Sequence, residues 1–183
     1  MSERSFLFLL CGAREHGNSE QLARHAAAAL PPQIACSWVN LAEAALPPFR
    51  DLRHPTPAFP PLTAPERALA VSTMAATDLV FVTPVYWYSL PAAAKLYLDT
   101  WSAWMRAEEL SFADRMKGHR MWAVVVDSSE PEEASSAPLV DCLVRTAQYM
   151  EMDWRGALLA HGNRPGEALT EPTLARAATF FSI

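Results

Sequence analysis

Short apolar runs recur along the chain, and they are too continuous to belong to surface strands. Residues 6–11 and 79–83 contain almost no polar side chains, and residues 121–126 make a third such run. Runs of this kind are typical of parallel strands that helices cover on both faces of a sheet. Two weaker segments complete the set: residues 34–41, with the mixed character of an edge strand, and residues 157–161. The sequence therefore predicts five strands.

Between these runs lie segments in which apolar residues recur at helical spacing. Thr63 and Glu66 form a capping-box pattern at the start of one segment, and Pro91 falls in the predicted first turn of another. A final helix is expected from residue 172 to residue 180. The predicted helix starts lie at Asn18 or Ser19, Thr63, Ser89, Pro138 and Pro172.

Strands that alternate with helices argue for an open α/β sheet with right-handed crossovers. A chain of 183 residues can bury one substantial core, but it is shorter than the roughly 250 residues of an eight-stranded barrel. We therefore predict one domain over residues 1–183. Its fold is a flavodoxin-like, doubly wound, five-stranded parallel sheet in the order 2-1-3-4-5, with helices on both faces.

Two stretches are expected to lack regular structure. Residues 106–118 form one, and residues 42–62 form the other because prolines prevent a continuous helix there. Connections this long are unusual in a compact domain, so each could form a lid, a subunit contact or a surface loop. The prolines of the longer stretch are Pro47, Pro48, Pro55, Pro57, Pro60 and Pro61.

Composition excludes several classes of protein. With 51% hydrophobic and 19% charged residues, the chain has the apolar content of a packed globule. A net charge of −5 without a basic patch argues against nucleic-acid binding. No apolar run approaches the roughly 18 residues of a membrane span. The start of the chain lacks the small-residue cleavage pattern of a signal peptide, so we expect a cytoplasmic protein with no membrane partner.

The cysteines predict neither disulfides nor a metal site. Cys11, Cys36 and Cys142 are odd in number and widely separated, and each lies within or beside an apolar segment. We interpret them as reduced core residues. The sequence contains no C-x-x-C pair and no cluster with metal-ligand spacing, so no bound metal is expected.

The connection after the first predicted strand, residues 11–19 (CGAREHGNS), leads directly into a helix. In a doubly wound sheet, ligands bind beyond the carboxyl ends of strands where the strand order reverses. A phosphate at such a helix start can accept hydrogen bonds from unpaired backbone N–H groups. Arg14 can add charge, and Asn18 and Ser19 can donate side-chain hydrogen bonds. The alternative is structural, with Gly17 making a turn and Asn18 capping the helix.

The connection after the third predicted strand, residues 83–91 (TPVYWYSLP), places Tyr86, Trp87 and Tyr88 at the same crevice. Their apolar bodies and polar tips suit a flat heteroaromatic ring that is stacked and hydrogen-bonded at its edge. A single aromatic residue is more often a packing residue. The cluster at this position favours ring binding.

Together the two connections resemble the NAD(P)H-dependent FMN reductase and quinone reductase family of the flavodoxin-like superfamily. Residues 14–19 match the family pattern G-S-x-R-x-x-G-N-S/T from its arginine onward, and residues 84–99 match P-x-Y-x-x-x-x-P-x-x-x-K-x-x-x-D. Lys95 and Asp99 receive no catalytic role, since their spacing also fits an exposed ion pair on a helix. The resemblance implies flavin mononucleotide (FMN) as cofactor, with Arg14, Asn18 and Ser19 on its phosphate and Pro84, Val85, Tyr86 and Trp87 around its ribityl chain and ring edge.

Two departures from the family pattern bear on this site. Cys11 and Gly12 stand where the family has Gly and Ser, so one phosphate-binding hydroxyl is missing. The loop at residues 127–131 (DSSEP) lacks the glycines of relatives, and its two acidic residues could disfavour an anionic reduced flavin. Ser128 and Ser129 in this loop are candidates for contacts to the flavin ring.

The resemblance implies an oxidoreductase that passes electrons from NAD(P)H through bound FMN to a quinone, azo, nitro or similar small-molecule acceptor. No catalytic side chain is expected, because the flavin N5 carries the chemistry. Two alternatives stay open: a flavodoxin-type FMN electron carrier, and a flavin-free scaffold with a degenerate site. The resemblance also implies a homodimer, to which Trp101, Trp104 and residues 106–118 could contribute. Burial of both tryptophans against the sheet fits the sequence equally well.

Overall fold

Five parallel strands form one sheet in the order β2-β1-β3-β4-β5. The computed structural model describes residues 4–52, 54, 60–129 and 132–182, and it confirms the predicted doubly wound topology. The strands are β1 (Ser5–Leu10), β2 (Ala35–Asn40), β3 (Asp78–Pro84), β4 (Arg120–Asp127) and β5 (Asp153–His161). The helices are α1 (Asn18–Ala28), α2 (Ala64–Ala75), α3 (Ala92–Trp104), α4 (Phe112–Met116), α5 (Glu132–Tyr149) and α6 (Glu171–Phe180), with a 3-10 turn at Glu108–Leu110.

Helices cover both faces of the sheet. Successive side chains of each strand point to opposite faces, so the apolar strands present apolar side chains to the helices on each side. In β1, Phe6 and Phe8 pack in the layer that contains α1 and α6. Leu7 and Leu9 pack in the layer that contains α2, α3 and α5. None of the helices in the described part of the chain has both the length and the apolarity needed to cross a bilayer.

The segment at residues 106–118 is more regular than the sequence predicted, since it contains the 3-10 turn and α4. Phe112 and Met116 are buried, and this tertiary burial stabilises a helix too short to form alone. The rings of Trp101 and Trp104 each meet Phe112 edge-on, with centroids 5.3 Å apart. Both tryptophans are therefore buried in the core of the chain, and Trp101 also borders a groove between α3 and α5.

The helix starts agree with the sequence in part. At α2 the predicted capping box is present: Glu66 N donates to Thr63 Oγ1, and Thr63 N donates to Glu66 Oε2 at 2.8 Å. The prediction that Ser89 caps α3 was wrong, because Pro91 occupies the N-cap position. Pro138 does not begin α5 either. It lies inside the helix, in the second turn, where its missing N–H removes a single backbone hydrogen bond.

The strand boundaries also differ at one edge. β5 begins four residues before the predicted segment, since Gly156 has a φ of 119° and the β4–β5 register shifts between Met121 and Trp122. This bulge interrupts the apolar pattern that sequence reasoning follows. β2 forms an edge strand as predicted, and Cys36 within it is exposed rather than part of the core. The cysteines are free thiols.

Residues 42–62 contain no helix or strand in their described parts, 42–52, 54 and 60–62. This agrees with the prediction from the proline content of the stretch. Pro55 and Pro57 lie outside the described residues.

A buried carboxylate organises the amino edge of the sheet. Asp78, at the start of β3, is 0% exposed. Its oxygens accept hydrogen bonds from Arg4 (3.1 and 3.2 Å), Arg120 (3.0 Å), Trp122 Nε1 (2.8 Å) and Thr77 Oγ1 (2.7 Å). A buried charge is stable only when it is paired and hydrogen-bonded in this way. The network ties the chain start to β3 and β4.

Candidate functional site

An open cleft lies at the carboxyl edge of the sheet. There β1 leads to α1 on one face and β3 leads to α3 on the other, so the two connections diverge. The cavity volume of the cleft is about 120 Å³, and the cleft is open to solvent. Of the predicted site residues, Trp87 and Ser129 do not line it. The lining residues are Gly12, Arg14, Gly17, Asn18, Ser19, Pro84, Val85, Tyr86, Val126, Ser128, Gly162 and Asn163.

The β1–α1 loop presents an uncapped helix start to the cleft. α1 begins at Asn18 and its N-cap is Gly17, which has no side chain to accept from the first turn. The prediction that Asn18 or Ser19 caps this helix was therefore wrong. His16, with a left-handed φ of 52°, donates its N–H to Glu20 Oε2 at 2.9 Å and so fixes the loop. An uncapped helix start of this kind is suited to an anion.

Two residues at the beginning of this loop, Cys11 and Gly12, depart from the family pattern. The Cys11 thiol donates to Leu9 O at 3.2 Å, and its burial raises its pKa well above the usual value. The thiol is therefore neutral and provides no nucleophile. A Cβ at Gly12 would lie 3.3 Å from Pro84 Cδ, so the loop leaves little room for the serine that the family has there.

The β3–α3 loop contains a strained aromatic turn. Tyr86 and Ser89 exchange two backbone hydrogen bonds of 3.1 Å and close a two-residue hairpin around Trp87 and Tyr88. Both central residues are left-handed, with φ of 52° and 61°, a conformation that Asn and Gly usually supply. Each such residue costs about 1–3 kcal/mol. Trp87 is 94% exposed, so Tyr86 is the member of the aromatic cluster that lines the cleft.

The β4–α5 loop places a buried carboxylate behind the cleft. Asp127 is 5% exposed, and its Oδ1 accepts the N–H of Ser129 at 2.9 Å. Its Oδ2 has no hydrogen-bond partner among the residues that the structure describes. Ser128 lines the cleft, whereas Ser129 is held by Asp127. Glu130 and Pro131 lie outside the described residues.

The β5–α6 connection is a wall of the cleft that sequence reasoning missed. Gly162 and Asn163 line the cleft directly after β5. The Gly162 N–H donates to Asp127 O at 2.8 Å, which joins this connection to the end of β4. The available signal was the Gly-Asn pair after the last strand, at the edge where the other two motifs meet.

Asn18 joins this wall to the start of α1. Its Nδ2 donates to Arg164 O at 2.9 Å, and its Oδ1 accepts the N–H of Gly166 at 2.7 Å. Its side chain is thus engaged with the β5–α6 connection. The predicted contact of Asn18 with a phosphate stays a prediction, as do the contacts predicted for the other site residues.

Lys95 and Asp99 form an ion pair within α3, and neither residue lines the cleft. The structural interpretation of this part of the motif is therefore confirmed.

The chain matches a known family over nearly its whole length. The family Flavodoxin_2, described as having a flavodoxin-like fold, matches residues 4–180. YwqN of Bacillus subtilis strain 168, named as a candidate NAD(P)H-dependent FMN-containing oxidoreductase, is 27% identical over 169 residues. The match covers 92% of this chain and 91% of YwqN.

Solved structures share the fold at lower identity. The Trp repressor binding protein from Bacillus subtilis gives a TM-score of 0.74 at 21% identity, covering 96% of this chain and 97% of that one. An FMN-dependent NADH-azoreductase from Bacillus anthracis str. Ames Ancestor, solved in complex with FMN, gives 0.69 at 13% identity and covers 96% of each chain. These likenesses establish the fold.

Proposed function

Because the chain belongs to the Flavodoxin_2 family with its flavodoxin-like fold, we propose that it is an FMN-dependent oxidoreductase. It passes electrons from NADH or NADPH to a small-molecule acceptor such as a quinone, an azo compound or a nitro compound. One observation carries the proposal: an uncapped helix start, a cationic Arg14 and the aromatic turn meet at one cleft. The names of YwqN and the azoreductase support the same activity.

The β1–α1 loop has the donors that the FMN phosphate requires. The start of α1 supplies backbone N–H groups and the positive end of the helix dipole. Arg14 supplies a charge at the cleft, and Ser19 supplies a hydroxyl. Gly12 and Gly17 place no side chain in the cleft. The backbone N–H of Asn18 belongs to this set, since Asn18 is the first residue of the helix.

The ring end of the cofactor suits the opposite wall. Pro84, Val85 and Tyr86 line that wall, Trp87 adjoins them, and Ser128 borders the cleft from the β4–α5 loop with Ser129 behind it. Bound FMN supplies a hydride acceptor at its N5, which is the chemistry that the protein itself lacks. Pro84, Val85 and Tyr86 would orient the ring, and the open cleft would admit donor and acceptor in turn.

The first test is flavin retention followed by reduction. Purified protein is mixed with FMN, desalted, and titrated with NADH or NADPH without oxygen while the flavin absorbance is recorded. We expect retained flavin that bleaches with one of the two donors. Retained flavin that neither donor bleaches would instead indicate an electron carrier, and absence of flavin would indicate a scaffold.

A matched pair of arginine variants tests the phosphate end. Arg14→Gln should weaken FMN binding about tenfold, as expected for loss of a charge-assisted hydrogen bond. Arg67→Gln removes the same charge from an exposed ion pair with Glu109, which lies away from the cleft. It should leave FMN affinity within about twofold. Equal effects of the two substitutions would contradict the assignment of Arg14.

We also propose a homodimer that pairs through α3 and α5. An apolar groove between these helices is lined by Leu98, Trp101, Met105 and Met150, with Tyr149 75% exposed at its rim. Such a groove suits the matching groove of a second copy, because a two-fold interface is self-complementary.

The charges beside the groove support a second copy as its occupant. Along α3 the ion pair runs from Lys95 to Asp99, and along α5 it runs in the opposite order, from Asp141 to Arg145. A two-fold axis along the helices sets α3 against α5 of the partner, so that a cation can face a carboxylate.

Light scattering of a matched pair of variants tests the dimer. Leu98→Asp introduces a charge into the groove and should yield monomers at micromolar concentration. Val71→Asp introduces the same charge on the exposed face of α2, outside the groove, and should leave the dimer intact. A monomeric mass for the unmodified protein would refute the dimer.

A further inference from the structure

Hydrogen bonds within the β5–α6 connection hold it in a defined conformation. The Glu167 carboxylate accepts the backbone N–H groups of Asn163 and Arg164 at 2.9 and 2.8 Å. Leu169 N donates to Gly166 O at 3.0 Å, and Gly166 has a left-handed φ of 85°. These contacts give residues 162–169 a defined shape. What they do not set is the distance between this connection and the rest of the cleft.

The Asn18 side chain sets that distance. Its amide spans two groups of opposite character, since Arg164 O needs a donor and Gly166 N–H needs an acceptor. These partners fix which end of the amide is oxygen and hold the side chain in one orientation. Asn18 is 8% exposed, so little water competes for these hydrogen bonds.

Gly162 shows how closely the two parts fit. A Cβ at this position would lie 2.7 Å from Ala168 N and 3.0 Å from Asn18 Nδ2. The approach to Ala168, within the connection, is closer than real Cβ atoms show, so a larger residue would reshape the connection. The approach to Nδ2 would at the same time press the connection away from Asn18. Gly162 and Asn18 both line the cleft, at the end where Arg14 and Ser19 also lie.

We infer that Asn18 is a positioning residue, which sets the width of the phosphate end of the cleft by holding residues 162–166 against the first turn of α1. The inference rests on the proposed FMN site and adds to it a wall from the β5–α6 connection. In this arrangement the Asn18 side chain acts through the wall rather than as a direct phosphate ligand. Its backbone N–H remains in the first turn of the helix.

Two substitutions loosen the wall from opposite sides. Asn18→Ala removes both hydrogen bonds, and Gly162→Ala displaces the connection without changing any charge or polar side chain. Each should weaken FMN binding about tenfold, the loss expected for about one net hydrogen bond. Both substitutions act on the same contact. The double variant should therefore lose no more FMN affinity than the single variant that binds FMN more weakly. Additive losses would show that they act independently and would overturn the inference.

The spectra of bound FMN show whether each substitution acts at the phosphate end or at the ring end of the cleft. In both variants the ³¹P resonance of bound FMN should move, while the visible absorption bands of the flavin stay in place. Unchanged FMN affinity in Asn18→Ala would overturn the inference. A shift of the absorption bands with an unmoved ³¹P resonance would do so as well, because the effect would then lie at the ring.

Asn40→Ala is the matched control. Asn40 also bridges two loop groups, donating to Glu43 Oε1 at 2.7 Å and accepting from Ala42 N at 3.0 Å. It ends β2 and does not line the cleft, so FMN affinity should change less than about twofold. An equal loss in Asn40→Ala would mean that loop asparagines act through general stability, which contradicts the inference.

Hydrogen exchange separates this inference from the proposed function. In the protein without added FMN, Asn18→Ala should speed exchange of the Gly166 amide at least about tenfold, because that N–H loses its acceptor. Unmodified protein that binds no FMN would refute the proposed function, whatever the exchange shows. Unchanged exchange at Gly166 would refute the positioning role even if FMN binds.

Discussion

The two edges of the sheet are built in opposite ways. At the amino edge, both oxygens of buried Asp78 are hydrogen-bonded. At the carboxyl edge, Asp127 is also buried, at 5% exposed, but keeps one oxygen without a partner among the described residues. The turn at this edge is strained, because Trp87 and Tyr88 both have a left-handed φ, and the rings of both residues are exposed. The difference teaches that buried ion pairing stabilises one edge, while the edge with the cleft carries backbone strain and an unpaired buried oxygen.

Removing the central carboxylate of the amino edge should have the largest effect. Asp78→Ala leaves the guanidinium groups of Arg4 and Arg120 without their buried partner, so we expect a loss of about 3–5 kcal/mol in the free energy of unfolding. Urea denaturation measures it. Asp153→Ala, which breaks an exposed pair with Arg155, should cost less than about 1 kcal/mol. A loss below about 1 kcal/mol for Asp78→Ala would contradict the division between the edges.

Relieving the strained turn at the carboxyl edge should raise the stability of the apoprotein, whereas Asp78→Ala lowers it. Replacing Trp87 by Asn and Tyr88 by Gly supplies residues that favour left-handed φ, so the apoprotein should gain about 1–2 kcal/mol. The same double variant should retain less FMN after desalting, because it lacks Trp87, which adjoins the lining residues Pro84, Val85 and Tyr86. Thermal unfolding and flavin absorbance measure the two effects. A less stable apoprotein would show that the turn stores no strain.

The carboxylate of Asp127 offers a test of electrostatics at the cleft. Asp127→Asn keeps an acceptor for the Ser129 N–H and removes one negative charge. Negative charge disfavours an anionic reduced flavin, so the midpoint potential of bound FMN should rise, by about 30 mV for 1.4 kcal/mol of two-electron stabilisation. Asp114→Asn changes an exposed side chain of α4 that does not line the cleft, so it should leave the potential unchanged. A lower potential in Asp127→Asn would contradict this role.

The smallest effect concerns pH and the Glu167 carboxylate. Hydrogen bonds from the N–H groups of Arg164 and Asn163 lower the pKa of Glu167 below its usual value near 4.5. A carboxyl whose pKa is lowered by folding contributes its full stabilisation above the usual pKa and loses it as the pH falls through the folded pKa. Protection of these two amides from hydrogen exchange should therefore decline below about pH 4.5. In Glu167→Gln the decline should be absent, and a decline that persists there would assign it to another group.

The sheet could be predicted because burial on both faces leaves continuous apolar runs in the sequence. Arg14 and Tyr86 could be located because their motifs adjoin those strands. Asn18 was placed at the right cleft, but its partners could not be found, since Arg164 and Gly166 lie 146 and 148 residues away and form no local pattern.

The conformation of the aromatic turn could not be predicted from the sequence, for a different reason. Trp87 and Tyr88 have side chains that disfavour left-handed φ, so local propensity argues against the conformation that they adopt. The closing hydrogen bonds between Tyr86 and Ser89 override that preference. Helix α4 was missed because five residues around Phe112 show no full helical period, and their burial decides the outcome.

The contact between Asn18 and Gly166 also bears on how the protein is made. It joins the first helix to a segment 148 residues further along the chain, so the cleft cannot close while that segment is still inside the ribosome. Long-range contacts of this kind form late, after shorter loops have closed. The phosphate end of the cleft is therefore completed only after residue 166 has left the ribosome. Binding at the cleft then requires a chain that has been synthesised at least as far as Gly166.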